Sequence, residues 1–183
     1  LTVDLSGGTP NEFDLALPPV NEFLPKNVNL AAQQQTPPQR LDSTPGLAMW
    51  WAPDTSFGAP RATTFLRLDV AGGLRTPTDL AYANLHARLV LDALNTFAYP
   101  AQLAGLSYDI DVQSAGFLIT VAGYNDKQPL LLNRILDVFA NIDPSAEKLA
   151  EYREELRRGW QNFVADRPYE QAVASLSHIM VAG

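Results

Sequence analysis

Apolar and polar residues alternate most cleanly between Leu106 and Val112. Leu106, Tyr108, Ile110 and Val112 share one side, and Ser107, Asp109 and Asp111 the other. A period of two marks a strand with one buried face. A turn at Ser114 and Ala115 leads to a second such run, Phe117, Ile119 and Val121, so the two strands read as a hairpin. The same period occurs upstream, where Thr64, Leu66, Leu68 and Val70 alternate with Phe65, Arg67 and Asp69 until Gly72 and Gly73 end the run. Before that, the apolar and aromatic stretch Leu47 to Trp51 predicts another strand, followed by a loop marked by Pro53, Gly58 and Pro60.

Helical spacing fills the remainder. Thr76 can cap a helix whose first position suits Pro77, while Asp79 faces its positive end. That helix carries a narrow polar stripe, Asn84, Arg88, Asp92 and Asn95, and is otherwise apolar or small as far as Phe97, which predicts extensive burial. Pro100 kinks or restarts it and Gly105 stops it. Asn125 and Asp126 are expected to cap a second helix with Leu131, Ile135, Phe139 and Ile142 on one face, broken by Asp143-Pro144-Ser145. A third helix aligns Leu149, Tyr152, Leu156, Trp160 and Phe163, ends at Arg167-Pro168, and is followed by a fourth from Tyr169.

The element order β-β-α-β-β-α-α-α predicts an α+β fold, an antiparallel sheet with helices packed on one face. Residues 1–40 read differently. Six prolines and the run Gln33-Gln34-Gln35 make poor core material and suggest an extended Pro/Gln-rich connector. The expected organisation is therefore a connector over 1–40 and a single α+β domain over 41–183. Because the helical pattern still runs at Gly183, that domain reads as truncated at its C-terminal end.

Composition narrows the function classes. A formal net charge of −7 argues against nucleic-acid or anionic-membrane partners, which need clustered Lys and Arg. No apolar run approaches the ~20 residues of a bilayer span, and no signal peptide is visible at the N-terminus. Zero cysteines exclude disulfides, thiolate metal sites and Cys nucleophiles. The compartment stays open between periplasmic and cytoplasmic.

Few residues carry recognisable chemistry. His86 and His178, the two histidines, lie far apart, and neither begins a His-x-x-Glu-His motif. His86 faces about 200° away from Asn84 and Arg88, which predicts a partly buried structural histidine. Ser107 and Ser114 lack a nucleophile elbow, Gly72-Gly73 is too short for a phosphate loop, and Trp50, Trp51 and Trp160 fall at expected core positions. No catalytic residue and no metal ligand is assigned. Asp109 and Asp111 project from one strand face and could bind a cation or a basic peptide; a solvated sheet face also accounts for them.

Three blocks of the chain resemble one family. LPPVNEFLP at Leu17 to Pro25, YPAQLAGLSYDIDVQSAGFLITVAGYNDKQ at Tyr99 to Gln128 and RRGWQNFVADRPYEQA ending at Ala172 are similar to the C-terminal half of the pitrilysin and insulin-degrading enzyme family of zinc metallopeptidases. The resemblance implies the connector between the two halves of such an enzyme plus most of its third, non-catalytic domain, which helps to wall a chamber around peptide substrates. The connector, rich in Gln and Pro, departs most from the best-known members. No cofactor is implied in this segment, with zinc held by the catalytic domain of the parent. The partners implied are a peptide substrate and the catalytic half of the same polypeptide, with no nucleic acid and no membrane. Under that reading Ser107, Asp109 and Asp111, joined by Arg67 and Asp69, are the candidate substrate-binding residues. Two other readings are a catalytically inactive scaffold or assembly subunit with the same fold, and an independent hydrolase using His86 and His178.

Overall fold

The computed structural model describes residues 19–30, 34–42, 44–163, 167–173 and 176. Three strands form the main sheet: β3 (Arg61–Asp69), β4 (Ser107–Gln113) and β5 (Gly116–Tyr124), in the order β3-β5-β4 with both pairings antiparallel. Three long helices are α1 (Pro77–Leu103), α2 (Gln128–Asn141) and α3 (Ala146–Asn162), and residues 168–173, where a fourth helix was expected, are helical as well. This is the expected α+β arrangement of helices and antiparallel sheet. A separate two-stranded ribbon pairs β1 (Gln39–Asp42) with β2 (Met49–Trp51).

Alternation becomes burial on the main sheet. Leu106 and Ile110 are buried, and Tyr108 and Val112 are half-buried against the same cluster. Ser107, Asp109 and Asp111 are exposed. In the middle of the sheet Ile119 and Val121 are fully enclosed, because β5 has a strand on either side and helices beneath. Strand β3 follows the expected alternation up to Asp69; Val70 lies beyond the strand end and is exposed, since the chain turns there toward Gly72 and Gly73.

Helix α1 begins as its sequence dictates. Thr76 Oγ1 accepts from the Asp79 amide at 3.1 Å, and the Asp79 carboxylate accepts from the Thr76 amide at 2.9 Å, a reciprocal cap with Pro77 in the first turn. Ala83, Ala87, Val90, Leu94 and Ala101 form its buried stripe, the small alanines letting its backbone approach the sheet. Pro100 does not break the helix, which runs unbroken to Leu103. The ring deprives only the carbonyl of exposed Thr96 of its helical donor, and Pro100 sits within one turn of the end, where the cost is least. The polar stripe of α1 faces α3: Arg88 pairs with Glu155 at 2.6 Å, and Asp92 pairs with Lys148.

Two other expectations differ from the structure. Asp126 does not cap α2. Residues Asn125–Lys127 form a single 3-10 turn, and α2 starts at Gln128 without a side-chain cap. The Asp126 carboxylate instead accepts the backbone amides of Lys26 at 2.8 Å and Asn27 at 3.4 Å. The tryptophans are not core residues: Trp50, Trp51 and Trp160 are 63%, 41% and 54% exposed. The β1–β2 ribbon stands apart from the main sheet, and among α3 residues only Leu156 is buried, so aromatic character alone did not decide burial.

Part of the proline-rich segment also packs. Phe23 is 1% exposed within the main core, and the Asn21 amide donates to the Pro100 carbonyl at 2.7 Å. A lone aromatic between prolines gives no periodicity to read, which is why composition missed it.

Truncating Ile110 to Ala should cost about 2–5 kcal/mol through lost burial and a residual cavity. Asp111→Asn, on the exposed side of the same strand, should cost under about 0.5 kcal/mol. Urea denaturation of the two variants checks both; equal losses would mean that the two faces of β4 do not differ in burial.

Candidate substrate-facing sheet surface

Among the described residues, helices cover one face of the main sheet and leave the other open. Antiparallel register fixes what the open face displays, because directly paired residues point to the same side. Thr63, Ala122 and Ser107 make one row across β3, β5 and β4; Phe65, Thr120 and Asp109 the next; Arg67, Leu118 and Asp111 the third; Asp69, Gly116 and Gln113 the last. The structure therefore brings all five candidate residues onto one face but splits them between its edges. Ser107, Asp109 and Asp111 line the β4 edge, and Arg67 and Asp69 the β3 edge, with β5 between them.

The two edges differ electrostatically. Arg67 and Asp69 neutralise one another in a two-pronged pair, at 2.9 Å through Nε and 3.0 Å through Nη2. Neither Asp109 nor Asp111 has an ion pair among the described residues. Two uncompensated carboxylates, two residues apart on one strand, leave the β4 edge acidic, whereas on the β3 edge Asp69 is offset by Arg67 and Arg61 adds a cation at the far end, over the Tyr124 ring at 5.7 Å. Arg67 is thus an internal counter-ion rather than a free cation.

Phe65 belongs to the outward set of β3 and is 68% exposed, the one large apolar side chain projecting from β3 on this face. Leu118 is half-buried beside it on the central strand. Gln128 was missed altogether. Its side chain, 5% exposed, donates to the Gly123 carbonyl at 3.0 Å and to the Ala62 carbonyl, and accepts from Thr64 Oγ1 at 2.9 Å. It joins α2 to the ends of β3 and β5, so the block Gly123 to Gln128 has a structural account.

His86 occupies the opposite, covered side. Its ring meets Phe139 edge-on at 4.6 Å and Phe117 at 5.9 Å, and a hydrogen bond links it to the Phe139 backbone. Burial pushes its pKa below the ordinary histidine value. His178 lies outside the described residues. No group of three His, Cys, Asp or Glu side chains suited to a metal ion occurs among the described residues. The donor set does not fit zinc, since Asp109 and Asp111 are on one face and His86 on the other. No helix among the described residues is long and apolar enough to cross a membrane.

This α+β architecture is shared with the crystal structure of pitrilysin, at a TM-score of 0.74 and 19% identity over 81% of this chain and 16% of that one. Residues 5–183 match the model of the middle or third domain of peptidase M16, and the chain belongs to that family. It is 33% identical over 171 residues to insulin-degrading enzyme-like 1, peroxisomal, of Arabidopsis thaliana, covering 92% of this chain and 18% of that protein. It is also 33% identical over 167 residues to the insulin-degrading enzyme of Homo sapiens, covering 90% of this chain and 16% of the human protein. The chain thus spans less than a fifth of the length of these relatives.

The buried imidazole sets a pH dependence. A histidine whose folded-state pKa lies below its unfolded value binds its proton more readily when unfolded. Its stabilising effect is complete above about pH 6.5 and is lost as pH falls through the folded-state value. Urea midpoints measured from pH 7.5 to 5.5 should decline for the wild type, and less steeply for His86→Gln. Identical slopes would show that His86 is not the group responsible.

Proposed function

We propose that this domain is a non-catalytic part of the chamber wall of a larger zinc metallopeptidase, where it encloses peptide substrates and binds them through the open sheet face. The observation that carries the reading is the unpaired acidic edge of β4, Asp109 and Asp111, displayed beside Ser107 on a surface that no helix among the described residues covers. Membership of the peptidase M16 family and relatives named for degrading insulin support a peptide as the ligand class. Residues 1–40 enter the proposal as the connector to the catalytic half of the same polypeptide and 41–183 as the domain, with 21–27 of the connector held against the domain by Phe23 and Asp126.

Under this reading the residues described here position substrate and take no part in bond cleavage. Carboxylates facing a water-filled chamber attract Lys and Arg side chains over roughly 8–10 Å at physiological ionic strength. They raise the local concentration of basic peptides and favour their binding, leaving the chemical step to a zinc site elsewhere in the parent.

Two outcomes follow. The isolated chain should show no peptidase activity and no stoichiometric zinc by metal analysis; one bound zinc per chain, lost on mutating His86 or His178, would instead favour an independent hydrolase. In the full-length enzyme, Asp109→Asn with Asp111→Asn should raise KM for basic peptides while kcat stays within a few-fold, and the effect should shrink as salt rises. Unchanged kinetics on every charged peptide would reduce these carboxylates to an ordinary solvated face.

A further inference from the structure

The open face is not uniformly polar, and its apolar element is placed relative to its charges. Phe65 and Asp109 occupy the same cross-strand row, with Thr120 between them. Two interstrand spacings separate them by about 10 Å. The next row places half-buried Leu118 between Arg67 and Asp111. Arg67 is already committed to Asp69, and the other cation of β3, Arg61, lies over the Tyr124 ring at 5.7 Å, two cross-strand rows beyond the row of Phe65 and Asp109, so neither pairs with the β4 carboxylates. An aromatic side chain at one edge thus faces an uncompensated acidic pair at the other across a floor of Thr120 and Leu118.

We propose that Phe65 is a specificity-determining residue, an apolar anchor that selects extended peptides carrying an aromatic or large aliphatic residue about three positions from a Lys or Arg. This rests on the open face being the peptide-binding face, as proposed above. Charge complementarity assigns the basic residue to Asp109 and Asp111. The separation assigns the apolar one, since an extended chain covers about 10 Å in three residues. A Lys or Arg stem lying across Leu118 would bury its methylenes while its charged end reaches the carboxylates. An exposed phenyl ring gains by stacking with an aromatic partner or covering an aliphatic one.

The test uses the full-length enzyme and four internally quenched peptides of one length. They differ only in Lys or Ser at one position and Phe or Ser three positions away. Phe65→Ala should lower the kcat/KM ratio of Phe-bearing over Ser-bearing peptides about five- to tenfold, through KM. Phe65→Leu should recover part of that ratio. The Asp109→Asn, Asp111→Asn variant should lower the Lys-over-Ser ratio instead. If that second ratio falls while the Phe ratio stays unchanged in Phe65→Ala, the anchor is refuted and the binding face stands. If neither ratio moves, the binding face itself is refuted. A uniform rate loss on all four peptides in Phe65→Ala, with a lowered thermal midpoint, would mean that another part of the polypeptide covers Phe65, and would also overturn the inference.

Discussion

The sheet depends on what happens where β5 ends and α2 begins. Gly123 has a φ of 129°, and a Cβ there would stand 2.2 Å from the Gly105 carbonyl oxygen and 2.9 Å from Leu106 Cα. Only glycine permits this closeness, and it lets the turn after α1 cross the end of the central strand. Five residues later Gln128 takes up the neighbouring carbonyls of Ala62 and Gly123. A buried amide with its donors and acceptor engaged is stable, but losing it would leave carbonyl groups short of partners in a dry environment. The close crossing and the amide together hold β3, β5 and α2 in register, and that register decides which residues reach the open face.

Two faces of one sheet obey different constraints here. The covered face carries Leu66, Ile110, Ile119 and Val121 against the alanine stripe of α1, where volume and shape are restrictive. The open face has no such restriction, so its composition can answer to a ligand. Since a shift of one residue would exchange the two sets, packing beneath the sheet indirectly fixes the positions of Asp109 and Asp111 above it.

Most of the main sheet was legible because period-two alternation, turn residues and a capped helix start all operate over short stretches. The hairpin of β4 and β5, the outward placement of Asp109 and Asp111, and the start of α1 at Thr76 depended on neighbours within a few positions. What was not legible depended on distant partners. Asp126 looked like a cap, but its carboxylate serves amides 99 and 100 residues away. Phe23 has no periodic companions, and its burial comes from a core assembled elsewhere. Gln128 reads as an ordinary helix residue until β3 and β5 are set beside it. At the candidate site, alternation placed Phe65 outward, whereas the pairing of Arg67 with Asp69 required the actual side-chain geometry.

The attachment of residues 21–27 has a mechanical consequence. Asn21 grips the last turn of α1 at Pro100, Phe23 is sunk into the core, and Asp126 holds Lys26 and Asn27 beside the β5–α2 junction. Tension applied along the chain would therefore load the domain as a shear across several anchors, rather than peeling one contact at a time. Those anchors lie at the two ends of the crossing that Gly123 makes possible. A pull on this stretch would bear on the joint that keeps the sheet in register, so the strength of the strap and the alignment of the open face belong to the same load path.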